Sequence, residues 1–277
     1  MIKTAITLSL VEEARGGPFV LWDGVESGCK TAARLGYDAI ELFAPGPDVV
    51  SVDSLKASLD RNQIDIAAVG TGAGMVIHKL NLCDPDSSRR GEAARFIESM
   101  IRYGAQLGVP AIIGSMQGRW GGDVSREQAF DWLRSSLNDL GRIAGNEGVP
   151  LIYEPLNRYE TNLCNTVAEG VDLCQSLETD HVKLLADVFH MGIEEADLAA
   201  AMASGKGWIG HVHFVDSNRK AAGMGHLNLG TIAQALIDSD YDQFVSAECF
   251  PTPDSETAAR NTIKAYQRLF PRPTKTG

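Results

Sequence analysis

Four short apolar runs in the second half of the 277-residue chain each run into a side chain that can hold a cation or move a proton. PLIYEPLNRYE (150–160) places Glu154 directly after Leu151, Ile152 and Tyr153; LLADVFHM carries Asp187, HVHFVDSNR carries His213 and SAECF carries Glu248. A buried, unpaired carboxylate is costly enough that it shifts its pKa, pairs with a cation or binds a metal. One such residue has an ordinary reading, as a helix cap or the partner of a nearby Arg. Four in succession suggest convergence on one point. Three carboxylates and one imidazole form a hard, oxygen-dominated set without thiolate, which favours Mn²⁺, with Mg²⁺ or Co²⁺ as alternatives, over a structural zinc. A dication would also offset the repulsion among the acids.

The elements that must carry these groups alternate in texture. Strand candidates are 4–10, 39–43, 65–71, 111–117, 151–157, 183–190, 210–216 and 244–250. Between them, helical spacing appears at 23–35, 52–62, 87–108, 125–148, 166–178, 194–204, 228–239 and 254–270, with Ser125 and Gln128 at capping-box spacing. Eight strand–helix units predict an α/β fold, a closed parallel (β/α)₈ TIM barrel, as one domain over 1–277 with a frayed tail at 271–277. The other architecture, a doubly wound sheet, would show a Gly-rich phosphate turn after the first strand, and SLVEEARGGPF has no G-x-G-x-x-G. In such a barrel the strands' C-terminal ends form the functional rim, and adjacent strands lie ~4.8 Å apart, so the four side chains could share an ion.

The formal net charge of −11, with no Lys/Arg cluster, argues against a nucleic-acid partner. Five scattered cysteines without a Cys-x-x-Cys pair fit reduced thiols and a cytoplasmic location. The N-terminus reads as a first strand, not a signal peptide, and no apolar run reaches the ~20 residues of a membrane span, so no membrane partner is expected.

EPLNRYE, ADVFHM, HVHFVDSNR and AECF, in this order and with these spacings, resemble the xylose-isomerase-like TIM barrel superfamily, and within it the ketose 3-epimerases acting on D-tagatose, D-psicose and L-ribulose. The fold likeness covers nearly the whole chain and the motifs roughly residues 151–250. The resemblance implies that Glu154, Asp187, His213 and Glu248 bind one divalent metal and that Glu154 and Glu248 form the acid–base pair. His190 and Arg219 match contacts to the substrate's carbonyl end, and Glu160 matches a carboxylate just beyond the first ligand. The partner implied is a small sugar or polyol, and the assembly a homodimer or homotetramer. The N-terminal third is less similar, and the aromatic residues that trim the family's sugar pocket have no evident counterpart there.

The chemistry suits the residues. Epimerising a ketose means removing a proton next to a carbonyl, leaving an enediolate that a divalent cation can stabilise as Lewis acid and template. Two carboxylates on opposite faces then give epimerisation, whereas one shuttling base gives aldose–ketose exchange. Isomerisation or dehydration of a keto-inositol is an alternative on the same residues. An AP-endonuclease-like hydrolase and a non-catalytic sugar-binding barrel are more distant ones. Among other candidates, His211 reads as an inward neighbour one layer deeper than His213. His226 and His78 are loop histidines that could reach substrate or only solvent. Gln117, Arg119 and Trp120 in GSMQGRWGGD could bind a polyol or phosphate, or form a Gly-rich turn under a rim Trp. Cys249 should face away from the site.

Overall fold

The computed structural model describes residues 1–271. Eight parallel strands, β1 (Lys3–Ser9), β2 (Ala39–Phe43), β3 (Asp65–Gly70), β4 (Ala111–Ile113), β5 (Leu151–Tyr153), β6 (Val182–Asp187), β7 (Ile209–His213) and β8 (Phe244–Ala247), close in sequence order, with β8 paired to β1. The expected (β/α)₈ barrel is therefore present. Its helices are α1 (Gly24–Leu35), α2 (Val52–Asn62), α3 (Ala73–His78), α4 (Ser87–Gln106), α5 (Arg126–Asn146), α6 (Val167–Gln175), α7 (Val188–Glu194), α8 (Leu198–Ser204), α9 (Leu229–Asp238) and α10 (Ser255–Leu269). The expected tail, 271–277, lies outside the described residues apart from exposed Pro271. Among the described residues no helix is long and apolar enough to cross a membrane.

Local chemistry explains the boundaries. Ser125 and Gln128 form the expected capping box on α5, and Thr166 and Glu169 form a second one on α6. Gly36, at φ 91°, ends α1 in the left-handed region. The main core lies between the strands and the helix ring, while Ala68, Ile112, Ile152 and Leu185 fill part of the barrel interior.

Several expected strands run too far at the functional rim: 151–157, 210–216 and 244–250 end at Tyr153, His213 and Ala247, and two more fail in an instructive way. The segment 183–190 was expected to be strand throughout, but β6 stops at Asp187, whose Oδ1 accepts from the backbone N–H groups of Phe189 (2.7 Å) and His190 (3.3 Å) and so starts α7. The 111–117 run likewise yields only a three-residue β4, followed by a 3₁₀ turn over Ser115–Gln117. Gln117 explains that turn. Its buried amide donates to the carbonyls of Gly114 (3.0 Å) and Glu154 (2.8 Å) and accepts from the Tyr153 hydroxyl (2.6 Å), tying the ends of β4 and β5 together.

Candidate active site

Asp187, the residue that caps α7 with one oxygen, turns the other into the barrel mouth. Its Oδ2 lies 3.3 Å from His213 Nδ1, which also stands 3.6 Å from Glu248 Oε2 and 3.8 Å from Glu154 Oε1. Three carboxylates, from the ends of β5, β6 and β8, thus face one imidazole nitrogen from β7; Asp187 and Glu248 converge with His213, while Glu154 converges with Asp187 and His190. Glu154 Oε1 is fully buried and has no hydrogen-bond partner. Gly114 makes room for this carboxylate, since a Cβ there would sit 2.5 Å from Glu154 Oε2.

Two buried histidines border the cluster, each held through one ring nitrogen by an outer partner. His190 Nδ1 accepts the Asn157 backbone N–H (3.3 Å) and faces the Asn157 amide nitrogen at 2.6 Å, so its proton sits on Nε2 and points into the site. That Nε2 is also an orphan, 3.8 Å from both Glu154 and Asp187. His213 is held from both sides: its Nε2 lies 3.1 Å from Glu41 Oε1 on β2 and its Nδ1 lies 3.3 Å from Asp187 Oδ2, so without an ion the ring donates through both nitrogens, and Nδ1 would give up its proton to take a cation. Although Glu154, Asp187 and His190 also converge closely enough to hold an ion, a protonated Nε2 suits His190 to donate and not to ligate.

Arg219 closes the ring. It takes a positive φ of 54° in the loop after β7, and its guanidinium pairs with Glu248, approaches Glu160 (3.6 Å) and Asp187 (3.8 Å), and lies over the Phe189 ring at 4.9 Å. Glu160 is half-exposed at the rim and accepts from Asn157 Nδ2 (3.2 Å).

The electrostatics follow from this crowding. Burial pushes the Glu154 carboxyl well above the ordinary carboxylate range, with Glu248 and Asp187 adding to the rise against the pull of His213. Burial also raises Glu248, opposed by Arg219 and His213. Asp187 is lowered: burial alone would raise it, but His190, His213 and Arg219 outweigh that. His190 is lowered chiefly by burial, against the pull of Asp187. Burial opposes the charge on His213, but Glu41 and Glu248 prevail and raise it well above the ordinary imidazole value. A cluster in which one acid is held protonated and one oxygen is orphaned fits a hard dication that would replace those protons.

The cluster floors a cavity of about 230 Å³. Its wall includes Phe19 and Phe43, stacked at 4.4 Å between ring centroids, with Val76 and Leu156. These aromatics come from the N-terminal third, where no counterpart to the family's pocket residues was expected. Glu41 also lines the cavity and was missed, although a carboxylate inside the apolar run AIELF is the same signal that exposed Glu154. A larger groove of about 490 Å³ between α5 and α6 shares no residue with the cluster.

The remaining candidates sit elsewhere. His211 occupies the deeper interior position expected of it, 2.7 Å from Glu41 Oε2. His226 is exposed and bonds Ser217 Oγ (2.9 Å), and His78 ends α3 at the surface against Phe96. Of the GSMQGRWGGD group, Gln117 is the structural tie described above, Trp120 donates to the Asn162 carbonyl (2.8 Å), and Arg119 is exposed on a neighbouring groove. Cys249 is buried in the main core, away from the cavity.

The model of the xylose isomerase-like TIM barrel family matches residues 29–269. The chain belongs to this family. Within it, the chain is 33% identical to a D-psicose 3-epimerase of Ruminiclostridium cellulolyticum over 225 residues, 79% of this chain and 75% of that protein. It is 31% identical to an L-ribulose 3-epimerase of Mesorhizobium japonicum over 234 residues, 83% of this chain and 75% of that protein. The solved structure of a D-psicose 3-epimerase with D-tagatose, from Clostridium cellulolyticum H10, covers 97% of this chain and 98% of its own at a TM-score of 0.80 and 24% identity, a likeness of fold. Epimerases are isomerases, and this member of the xylose isomerase-like family is an enzyme of that class.

Proposed function

We propose that the protein is a divalent-metal-dependent ketose 3-epimerase acting on an unphosphorylated sugar, with Mn²⁺ the favoured ion. The observation that carries this reading is the set of three carboxylates within 3.8 Å of one imidazole nitrogen, His213 Nδ1. Glu154, Asp187, His213 and Glu248 would hold the ion, which when bound supplies Lewis-acid stabilisation of an enediolate.

The chain's own residues do the rest. β5 and β8 stand on either side of β6 and β7, so Glu154 and Glu248 approach a bound sugar from different sides. One takes the proton from the carbon beside the carbonyl and the other returns a proton to the opposite face, inverting that centre. His190 donates its Nε2–H to a substrate oxygen, and Arg219 steadies the developing negative charge while orienting Glu248. Glu160 holds Arg219 and Asn157 at the rim.

The cavity limits the substrate. At about 230 Å³ it is smaller than the ~300–1,000 Å³ of drug-sized pockets, a size suited to one monosaccharide. Among its lining residues Arg219 is the lone Lys or Arg, and three carboxylates already engage it, which leaves no cation for a phosphate. The same features disfavour an AP-endonuclease-like hydrolase, as does the placement of His78, His181 and His226 outside the cavity.

Incubation with Mn²⁺ and D-fructose, D-psicose, D-tagatose, L-ribulose or an inosose in D₂O tests the reading. Deuterium at carbon 3 with formation of the C3 epimer is expected. Exchange at carbon 1 with an aldose product would make the enzyme an isomerase, loss of water from the inosose would make it a dehydratase, and no exchange into any of them would end the proposal.

A further inference from the structure

Glu41 sits in β2, 6% exposed, within the run AIELF. β2 and β7 are not neighbours in the barrel, so its side chain reaches β7 through the interior. Both oxygens are used there: Oε2 lies 2.7 Å from His211 Nε2 and Oε1 lies 3.1 Å from His213 Nε2. The two rings meet edge-on, 5.5 Å apart and 83° between planes, as alternate residues of one strand sharing one carboxylate.

These three side chains are close enough to hold an ion of their own. Their geometry speaks against it. The separations are those of hydrogen bonds, and none of the three leaves a buried atom without a partner, whereas Glu154 and His190 do. Burying a carboxylate and two imidazoles inside a barrel is nonetheless costly, so a hydrophobic filler would serve packing better.

We propose that Glu41 is a positioning residue: it accepts the His213 Nε2–H, fixes the ring with Nδ1 aimed at Glu154, Asp187 and Glu248, and is itself anchored from below by His211. The inference rests on the reading of that cluster as a metal site. A carboxylate behind a ligating histidine sets its tautomer and orientation and strengthens its lone pair, and loss of such a partner weakens metal binding ~10–100-fold. His211 gives the carboxylate a second fixed bond, so that Glu41 cannot swing away into the cavity it lines.

The test compares the wild-type protein with Glu41→Gln by calorimetric titration with Mn²⁺, alongside thermal unfolding of the metal-free forms. The expected result is a Kd raised ~10–100-fold in a variant that still folds but melts lower without metal, because two buried imidazoles lose the carboxylate they share. A second readout needs no variant: nitrogen-15 NMR of the histidine-labelled wild-type protein loaded with diamagnetic zinc should show a slowly exchanging proton on His213 Nε2 and none on Nδ1. A folded variant with unchanged affinity, or an Nδ1 proton in the zinc-loaded wild type, overturns the inference while leaving the metal site standing. Failure of the wild-type protein to bind Mn²⁺ or zinc overturns both.

Discussion

Gly114→Ala should disable the site and spare the fold. A Cβ at Gly114 would lie 2.5 Å from Glu154 Oε2, and ordinary contact begins at 3.4 Å, so the carboxylate must retreat by about 0.9 Å. That oxygen is the far end of a flexible side chain, so the fold loses little, and removing a glycine from the unfolded chain contributes ~0.4–1 kcal/mol in the other direction. The melting temperature should therefore move by no more than about 2 °C. The site is less tolerant. Metal–ligand distances hold to about ±0.2 Å, and a misplacement near 1 Å costs catalysis about 100-fold. Mn²⁺ calorimetry should show at least a tenfold weaker Kd, about 1.4 kcal/mol, with kcat/KM for C3 exchange down about 100-fold or more. Gly104→Ala is the contrast: its Cβ would meet the backbone carbonyl of Val109 at 2.7 Å, so stability should drop and metal affinity should not. Unchanged Mn²⁺ affinity and turnover in Gly114→Ala would refute the placement of Glu154 as a ligand.

Four further outcomes are expected. Glu248→Gln should lower kcat about 10²–10⁴-fold, the range of a lost general acid–base group, and an activity loss under tenfold in the metal-saturated variant would remove Glu248 from that role. Asn157→Ala should reduce kcat about tenfold while leaving the Mn²⁺ Kd within about twofold, since Asn157 orients a donor and touches none of the four proposed ligands; a parallel loss of metal affinity would contradict the proposed division of labour between His190 and His213. All five cysteines are buried, and burial pushes the thiols of Cys83, Cys164, Cys174 and Cys249 up to about 12. The native protein should thus resist a thiol reagent at pH 8 and react fully once denatured. Because these folded-state values lie above the reference of 9.0, the stability they contribute is complete below pH 9 and is lost as pH rises toward 12. A urea midpoint that holds steady or climbs over that interval would be the contrary result.

The sequence exposed what one strand could show by itself. Glu154, Asp187, His213 and Glu248 are legible because each interrupts an apolar run, and the strand–helix alternation places the four ends on one rim. Glu41 interrupts a run in the same way, but the partners that give it meaning are His211 and His213, 170 and 172 residues away and across the barrel. No local pattern encodes that meeting. The expected strand 183–190 ran too far because Val188 and Phe189 are good strand formers, while the deciding interaction was the Asp187 carboxylate capping α7. Gln117 was weighed as a sugar contact on its loop neighbours, and burial against Tyr153 and the Glu154 carbonyl made it structural instead. Phe19 and Phe43 belong to different segments that only the closed barrel stacks together.

Anomalous scattering from crystals of the Mn²⁺-loaded protein reaches the central claim most directly. One peak is expected at the mouth of the barrel, within bonding distance of the Glu154, Asp187 and Glu248 carboxylates and of His213 Nδ1, with His190 outside the coordination sphere. A peak bound through His190, a peak elsewhere in the molecule, or none at saturating Mn²⁺ would contradict the account.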